Sequence, residues 1–256
     1  MSSSRNIIIV NSDDFGLSDT VNEATVRAFE DESISSTTLM ATMAGFEDAV
    51  EKANTLPILK NAIGMHLNLT QGVPASEPIK KNSLFCKDGQ FCYDRKKSLF
   101  FLSPDDKNAV RIEIEAQLKR IIDNHILPTH LDGHHHVHTE FAIAGIYAQV
   151  GKEYGIRKMR ITKNVGKTSA AKTLYKNIFN AYLTSICGMK TTDIFCGANE
   201  YKNIAGTPIV AEKNIEIMVH AKLNDANEVV DLDGTNMADK MKPLLEGIKI
   251  VSYYSL

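Results

Sequence analysis

The sequence predicts an α/β fold: a parallel β/α barrel-like (TIM-like) sheet ringed by helices, in a single domain spanning residues 1–256. Two observations predict it. Short apolar runs rich in β-branched residues alternate with longer amphipathic stretches, and 256 residues match the roughly 250 that an α/β barrel commonly takes. Strands alternating with helices require parallel pairing through right-handed crossovers, with the sheet either closed as a barrel or open and doubly wound.

The runs of strand length are residues 6–10, 36–41, 62–69, 128–131, 158–161, 215–219 and 248–253. Helical patterns fall at 19–31, 46–53, 104–124, 140–154, 170–187 and 236–246. Pro104 followed by Asp105 and Asp106 marks a helix start, because proline is tolerated in the first turn and acids suit the N-terminal dipole. Gly155 marks a helix stop. The stretch 71–103 is too long for an ordinary connection and is expected to form a lobe over the site, with a disordered insertion as the alternative.

Composition excludes several partner classes. Apolar residues make up 43% of the chain, enough for one large core, and the net charge is −2 with a pI near 6.4. There is no basic excess to attract nucleic acid or an anionic membrane. No segment approaches the roughly 18 apolar residues of a membrane span, and the start of the chain lacks the pattern of a secretory signal. Cys86, Cys92, Cys187 and Cys196 show no CxxC spacing, so a reduced, cytoplasmic protein is expected. A homodimer is left open.

Four constellations carry chemistry. Asp13 and Asp14 sit side by side at the end of the first strand, where two carboxylates repel unless a cation or proton separates them. Gly16 permits the sharp exit that aims both at one pocket; a helix-start loop with capping aspartates is the alternative. His66 lies in the apolar stretch 63–69, where a core histidine is the competing reading. The run from Pro128 to His138 (PTHLDGHHHVH), if extended, puts His130, Asp132, His134, His136 and His138 on one face. That many imidazoles beside a carboxylate suit a divalent ion, with a purification tag or a surface histidine tract as the alternatives. The last is His220, which closes the alternating strand at 215–219. Asp13/Asp14, His66, His134 and His220 all fall near C-terminal strand ends, the edge on which parallel α/β folds build their sites.

These residues resemble the YdjC family, which includes the chitooligosaccharide (diacetylchitobiose) deacetylases. The matches are NSDDFGLS from Asn11, STTLM from Ser36, IGMH from Ile63 with Leu69-Thr70, and PTHLDGHHHVH from Pro128. They keep the family's order across residues 6–162. After His220 the chain has Ala221-Lys222 where the family usually has Pro-Gly. The resemblance implies a polysaccharide-deacetylase-type barrel and hydrolysis of N-acetyl groups from amino-sugar oligosaccharides. It also implies one divalent ion, commonly magnesium, held at His66 and His134 with Asp14 completing the set. Two imidazoles with one carboxylate equally suit zinc or another transition metal, since magnesium prefers oxygen ligands.

On this reading Asp13 is the expected general base and His220 the general acid for the departing amine. His136, His138 and Arg160 are expected near the substrate or behind the ligands, with a surface charge as the alternative for Arg160. Competing functions are a non-catalytic sugar- or metal-binding protein on the same scaffold, and a metallophosphoesterase or amidohydrolase, for which two metals would be usual.

Overall fold

The computed structural model describes residues 7–95 and 100–256. Its elements run β1 (Ile8–Phe15), α1 (Asp19–Glu30), β2 (Ser36–Leu39), α2 (Phe46–Thr55), β3 (Ile63–Leu67) and α3 (Glu77–Lys80). A small hairpin follows, β4 (Cys86–Lys87) and β5 (Gln90–Phe91), then α4 (Pro104–Asp123), β6 (Leu131–Gly133), α5 (Phe141–Glu153) and α6 (Ala170–Ala181). The chain continues through β7 (Ile194–Gly197), α7 (Ala198–Ile204), β8 (Ile215–Val219), a second hairpin of β9 (Lys222–Leu223) and β10 (Val229–Val230), and α8 (Met237–Met241).

Six strands form a curled, all-parallel sheet in the order β6-β3-β2-β1-β8-β7. The expected strand at 158–161 does not form as a regular element. It is an extended segment joined to β6 by the Leu131–Met159 bridge and to Lys190 by the Lys158–Lys190 bridge. Asn164 N–H donates to Phe195 O in β7, so this irregular segment links the two edges of the sheet. The expected strand at 248–253 is reduced to a single bridge, Ile8–Ile250, before a 3-10 turn at Tyr253–Ser255. The expected helix at 236–246 stops at Met241, because Pro243 has no N–H to continue it. α6 ends at Ala181 and passes into a π-helical turn, Tyr182–Ile186. β7 and α7 were not among the expected elements.

Strand alternation divides the molecule into an outer apolar layer and an inner polar one. Ile8 and Val10 of β1, Met65 and Leu67 of β3, and Ile215, Ile217 and Val219 of β8 face the helices and join the main core. The intervening residues Asn11, Asp13, Thr38, His66, Asp132 and Glu216 are all buried, and hydrogen bonds and ion pairs connect them across the sheet. Ile9, Tyr253 and Leu256 form a separate small apolar cluster. The C-terminal segment is held against the N-terminal strand ends by Val251 N–H to Ile8 O, and by the Lys158 ammonium donating to the carbonyls of Tyr253 and Tyr254.

The stretch 71–103 contains α3 and the β4–β5 hairpin, while residues 96–99 of this expected lobe lie outside the described residues. It is anchored on α4: the Glu113 carboxylate accepts from the N–H groups of Ala75 and Ser76, and Asn82 donates to Asp106. α4 starts as its sequence predicts, with a Ser103–Asp106 capping box in front of Pro104.

Gly64 shows how tightly the interior is filled. A Cβ there would stand 2.4 Å from the His130 ring, which is itself stacked on Tyr253 at a centroid distance of 3.6 Å. With no room for the ring to retreat, Gly64→Ala is expected to destabilise the fold by about 1–3 kcal/mol, the usual cost of overpacking. Urea unfolding of the two proteins measures it; equal stability would mean that His130 moves freely.

Candidate active site

Asp13 and Asp14 diverge because β1 breaks its register between Ser12 and Phe15. Asp14 takes a left-handed backbone (φ 70°), so the carboxylates serve different neighbourhoods: Asp13 points into the barrel and Asp14 toward its mouth. Gly16 completes the exit at φ +89°, where a Cβ would meet Met40 O at 2.9 Å. The buried Asn22 side chain locks it by accepting from Gly16 N–H.

Asp14, His66 and His134 converge. Asp14 Oδ1 lies 2.7 Å from His134 Nδ1 and 3.2 Å from His66 Nε2. One donor atom from each residue falls within 4.8 Å of the others, as a shared ion requires. His66 and Asp132 are register partners on adjacent strands, and His66 Nδ1 donates to Asp132 at 2.6 Å. The Thr38 hydroxyl donates to the other Asp132 oxygen at 3.1 Å. With its Nδ1 proton committed, a neutral His66 turns a bare Nε2 lone pair toward a carboxylate. That is unfavourable unless a cation or a second proton lies between them, so the donor set fits a divalent ion. Burial opposes a charged His66, yet the Asp132 and Asp14 carboxylates lift its pKa to about 10. Burial also raises Asp14, but hydrogen bonds from His134 and His66 hold it well below the usual carboxylate range. His134 Nε2 meets Gln71 Oε1 at 3.0 Å, at the start of the 71–103 stretch.

A second cluster, Asp13, His66 and Asp132, is fully buried and already contains a cation. Arg160 grips Asp13 with two parallel bonds of 2.7 Å, reaches Asp132 at 2.8 Å and Glu216 at 2.7 Å, and lies over the Phe195 ring. Arg160 has no exposed surface, so neither a substrate contact nor a surface charge describes its place. Burial would raise Asp13, but the Arg160 guanidinium holds it well below the carboxylate range. Glu216 is different: burial outweighs Arg160 and pushes it up to about 7, and the Tyr253 hydroxyl donates to it.

The histidine run is not an extended strand. β6 ends at Gly133, and His134–Thr139 form a 3-10 turn in which His135 and His136 take left-handed conformations, φ 50° and 57°. The single face of five polar groups expected from period two is therefore not formed. His138 is fully buried with neither ring nitrogen bonded within the protein, which leaves it no surface to offer a substrate. Burial and the Arg160 charge lower His136 to about 3, and its ring packs edge-on against Phe195. His136, Thr139, Thr162, Tyr175 and Phe195 help line a cavity of about 520 Å3 beside the network. Arg95 reaches back from the inserted stretch to bond Glu140, Thr139 and the His135 carbonyl. His220 follows β8; its backbone N–H donates to Asp231, and its ring makes no hydrogen bond to a described residue. It is near enough to Asp13 to help keep that carboxylate ionised. The clefts at the N-terminal ends of the strands, around Ile8 and Ile248, lie away from all of these groups.

Reading the sequence placed Asp132 within the histidine run without giving it a role of its own, and did not select Glu216, Thr38 or Tyr253 as functional. Asp132 and Glu216 stand at alternate positions of otherwise apolar strands, which was the available signal. The raised Glu216 pKa carries a linkage. Stability from its bound proton is complete below the unfolded value of 4.5 and is lost as pH rises through about 7. Glu216→Gln cannot titrate, so wild type is expected to lose stability relative to this variant between pH 5 and pH 7. Urea midpoints at both pH values check it, and parallel curves would refute it.

The chain has relatives among known proteins. A family model described as "YdjC-like protein" matches residues 7–244. A carbohydrate deacetylase of Clostridium beijerinckii is 34% identical over 172 residues, covering 67% of this chain and 64% of that protein. One of Brevibacillus brevis is 39% identical over 149 residues, covering 58% and 57%. The matched stretches thus span less than two thirds of these relatives' own lengths. A solved structure from Enterococcus faecalis, of a protein named for cellobiose-phosphate cleavage, superposes with a TM-score of 0.73 at 21% identity, covering 98% of this chain and 99% of that one. The superposition supports the barrel fold, and the match across nearly the whole sequence decides the lineage: this chain belongs to the family of YdjC-like proteins.

Proposed function

We propose that the chain is a metal-dependent hydrolase that removes N-acetyl groups from amino-sugar oligosaccharides. The observation that carries this reading is the convergence of Asp14, His66 and His134 at the mouth of the barrel, directly beside an ionised Asp13. The relatives named carbohydrate deacetylases support the reaction class. The ion would be held by two imidazoles and one carboxylate, a set that favours zinc or another transition metal over magnesium. When bound, such an ion supplies Lewis acidity, polarising a carbonyl and making water more acidic.

The protein's own groups then have distinct tasks. Asp132 fixes the His66 tautomer, so Nε2 is the nitrogen offered at the mouth. Asp13 receives the proton of the attacking water; the Arg160 clamp keeps it ionised and fixes its direction at a cost in basicity. His220, with an unengaged ring near Asp13, supplies a proton to the departing amine. The cavity bounded by His136, Tyr175 and Phe195 suits a sugar ring, which packs on aromatic faces and bonds to polar rims. A two-metal phosphoesterase is less well supported, because Arg160 occupies the second carboxylate–histidine cluster.

Acetate release from N,N′-diacetylchitobiose by the purified protein tests the activity, with chelator and with metals restored singly. Activity that survives complete metal removal would sink the proposal. Asp13→Asn is expected to retain the ion and lose turnover about 100-fold, the scale of general-base catalysis. His134→Ala is expected to lose the ion itself, measured as metal content after gel filtration. Full activity in Asp13→Asn would reassign the base.

A further inference from the structure

The inward-facing side chains continue well below the site. Arg160 makes five N–O contacts of 2.7–2.8 Å: Nε and Nη2 to Glu216, Nη1 and Nη2 to Asp13, and Nη1 to Asp132. Three of them, Nε to Glu216 and Nη1 and Nη2 to Asp13, are hydrogen bonds and the other two are ion-pair contacts, so carboxylate oxygens meet all three nitrogens of the guanidinium. Two of these acceptors belong to the site, since Asp13 is the proposed base and Asp132 holds His66. The third, Glu216, lies deeper and does not approach the mouth. Its other oxygen accepts from the Tyr253 hydroxyl, three residues before Leu256. The Tyr253 ring is fixed in turn by stacking on His130 at an interplanar angle of 9°, in the space left by Gly64. All the groups in this column are buried, so no solvent can replace a missing partner.

We propose that Glu216 and Tyr253 are positioning residues. The C-terminal segment aims Arg160 through the Tyr253–Glu216 contact, and Arg160 then sets the direction of Asp13 and, through Asp132, of His66. The inference rests on the reading above, in which Asp13 is the base and His66 a ligand. Glu216 and Tyr253 touch neither substrate nor ion. They supply a fixed acceptor at the far edge of the guanidinium, without which Arg160 could pivot about its two mouthward carboxylates.

The experiment uses the full chain. Tyr253→Phe removes one hydroxyl and keeps the stacked ring. It is expected to lower kcat for acetate release roughly tenfold with KM changed less than about twofold. In an Asp13→Asn background the same substitution is expected to cost less than about twofold, because the path through Asp13 is already cut. A purely structural role would repeat its full loss in that background. The second arm needs no turnover. Zinc affinity of the metal-free protein, by calorimetry, is expected to fall roughly tenfold in Glu216→Leu and to recover to within about twofold of wild type in Glu216→Gln, which restores an acceptor. Wild-type kcat in Tyr253→Phe, an undiminished loss in the double variant, or wild-type zinc affinity in Glu216→Leu would each overturn the inference. Should one substitution prevent folding, the other decides. If the wild-type chain releases no acetate at all, the proposed reaction fails, and the zinc arm still judges the positioning role.

Discussion

A single guanidinium surrounded by Asp13, Asp132 and Glu216 constrains the rest of this molecule. Three buried carboxylates around one cation would be prohibitive if any were left unpaired, because an uncompensated charge in a dry interior costs several kcal/mol. Each therefore has further partners: Asn11 for Asp13, Thr38 and His66 for Asp132, Tyr253 for Glu216. These requirements reach into β1, β2, β3, β6 and β8 and into the C-terminal segment. They explain why alternate residues of nearly every strand are polar although the strands are buried on both faces. Stability comes from the outer apolar layer, and the inner layer supplies geometry.

Two adjacent aspartates thus acquire different chemistry from one irregularity in β1. The register break and the left-handed Asp14 send one carboxylate to the guanidinium and the other to the imidazoles. Both are held ionised, but by different partners: a permanent cation for Asp13 and titratable rings for Asp14. The second arrangement can exchange protons for a metal ion, whereas the first cannot. The difference between neighbours in sequence is a property of the backbone turn, not of side-chain type.

The parts of this design that were legible in the sequence are those governed by local periodicity. The apolar runs around Ile8, Ile63 and Ile215, and the start of α4 at Pro104, read correctly because their patterns lie within a few residues. What spacing could not show was any feature fixed by distant partners. Arg160 interrupts its own apolar run, and its first partner, Asp13, is 147 residues away. Met159 meets Leu131 through a lone bridge, so the segment has the composition of a strand without its ladder. The histidine run misled for a related reason. Period-two logic assumes an extended backbone, and His135 and His136 leave that region entirely. Asp14, His66 and His134 could be named from motif resemblance, and the structure brings them together; the inward company of Asp132, Glu216 and Tyr253 required the fold.

The two ends of the polar column differ in physical character. At the floor, groups are fully buried, paired and stacked, from Gly64 through His130 and Tyr253 to Glu216. At the mouth, positive φ angles at Asp14, His135 and His136 store local strain, and contacts come from loops such as those of Gln71 and Arg95. Strained positions persist only where their surroundings over-determine them. A rigid floor provides that determination: it fixes Asp13 and Asp132, and these fix the inner edge against which the mouth is built. On the positioning role proposed for Glu216 and Tyr253, preorganisation rises from this floor toward the mouth.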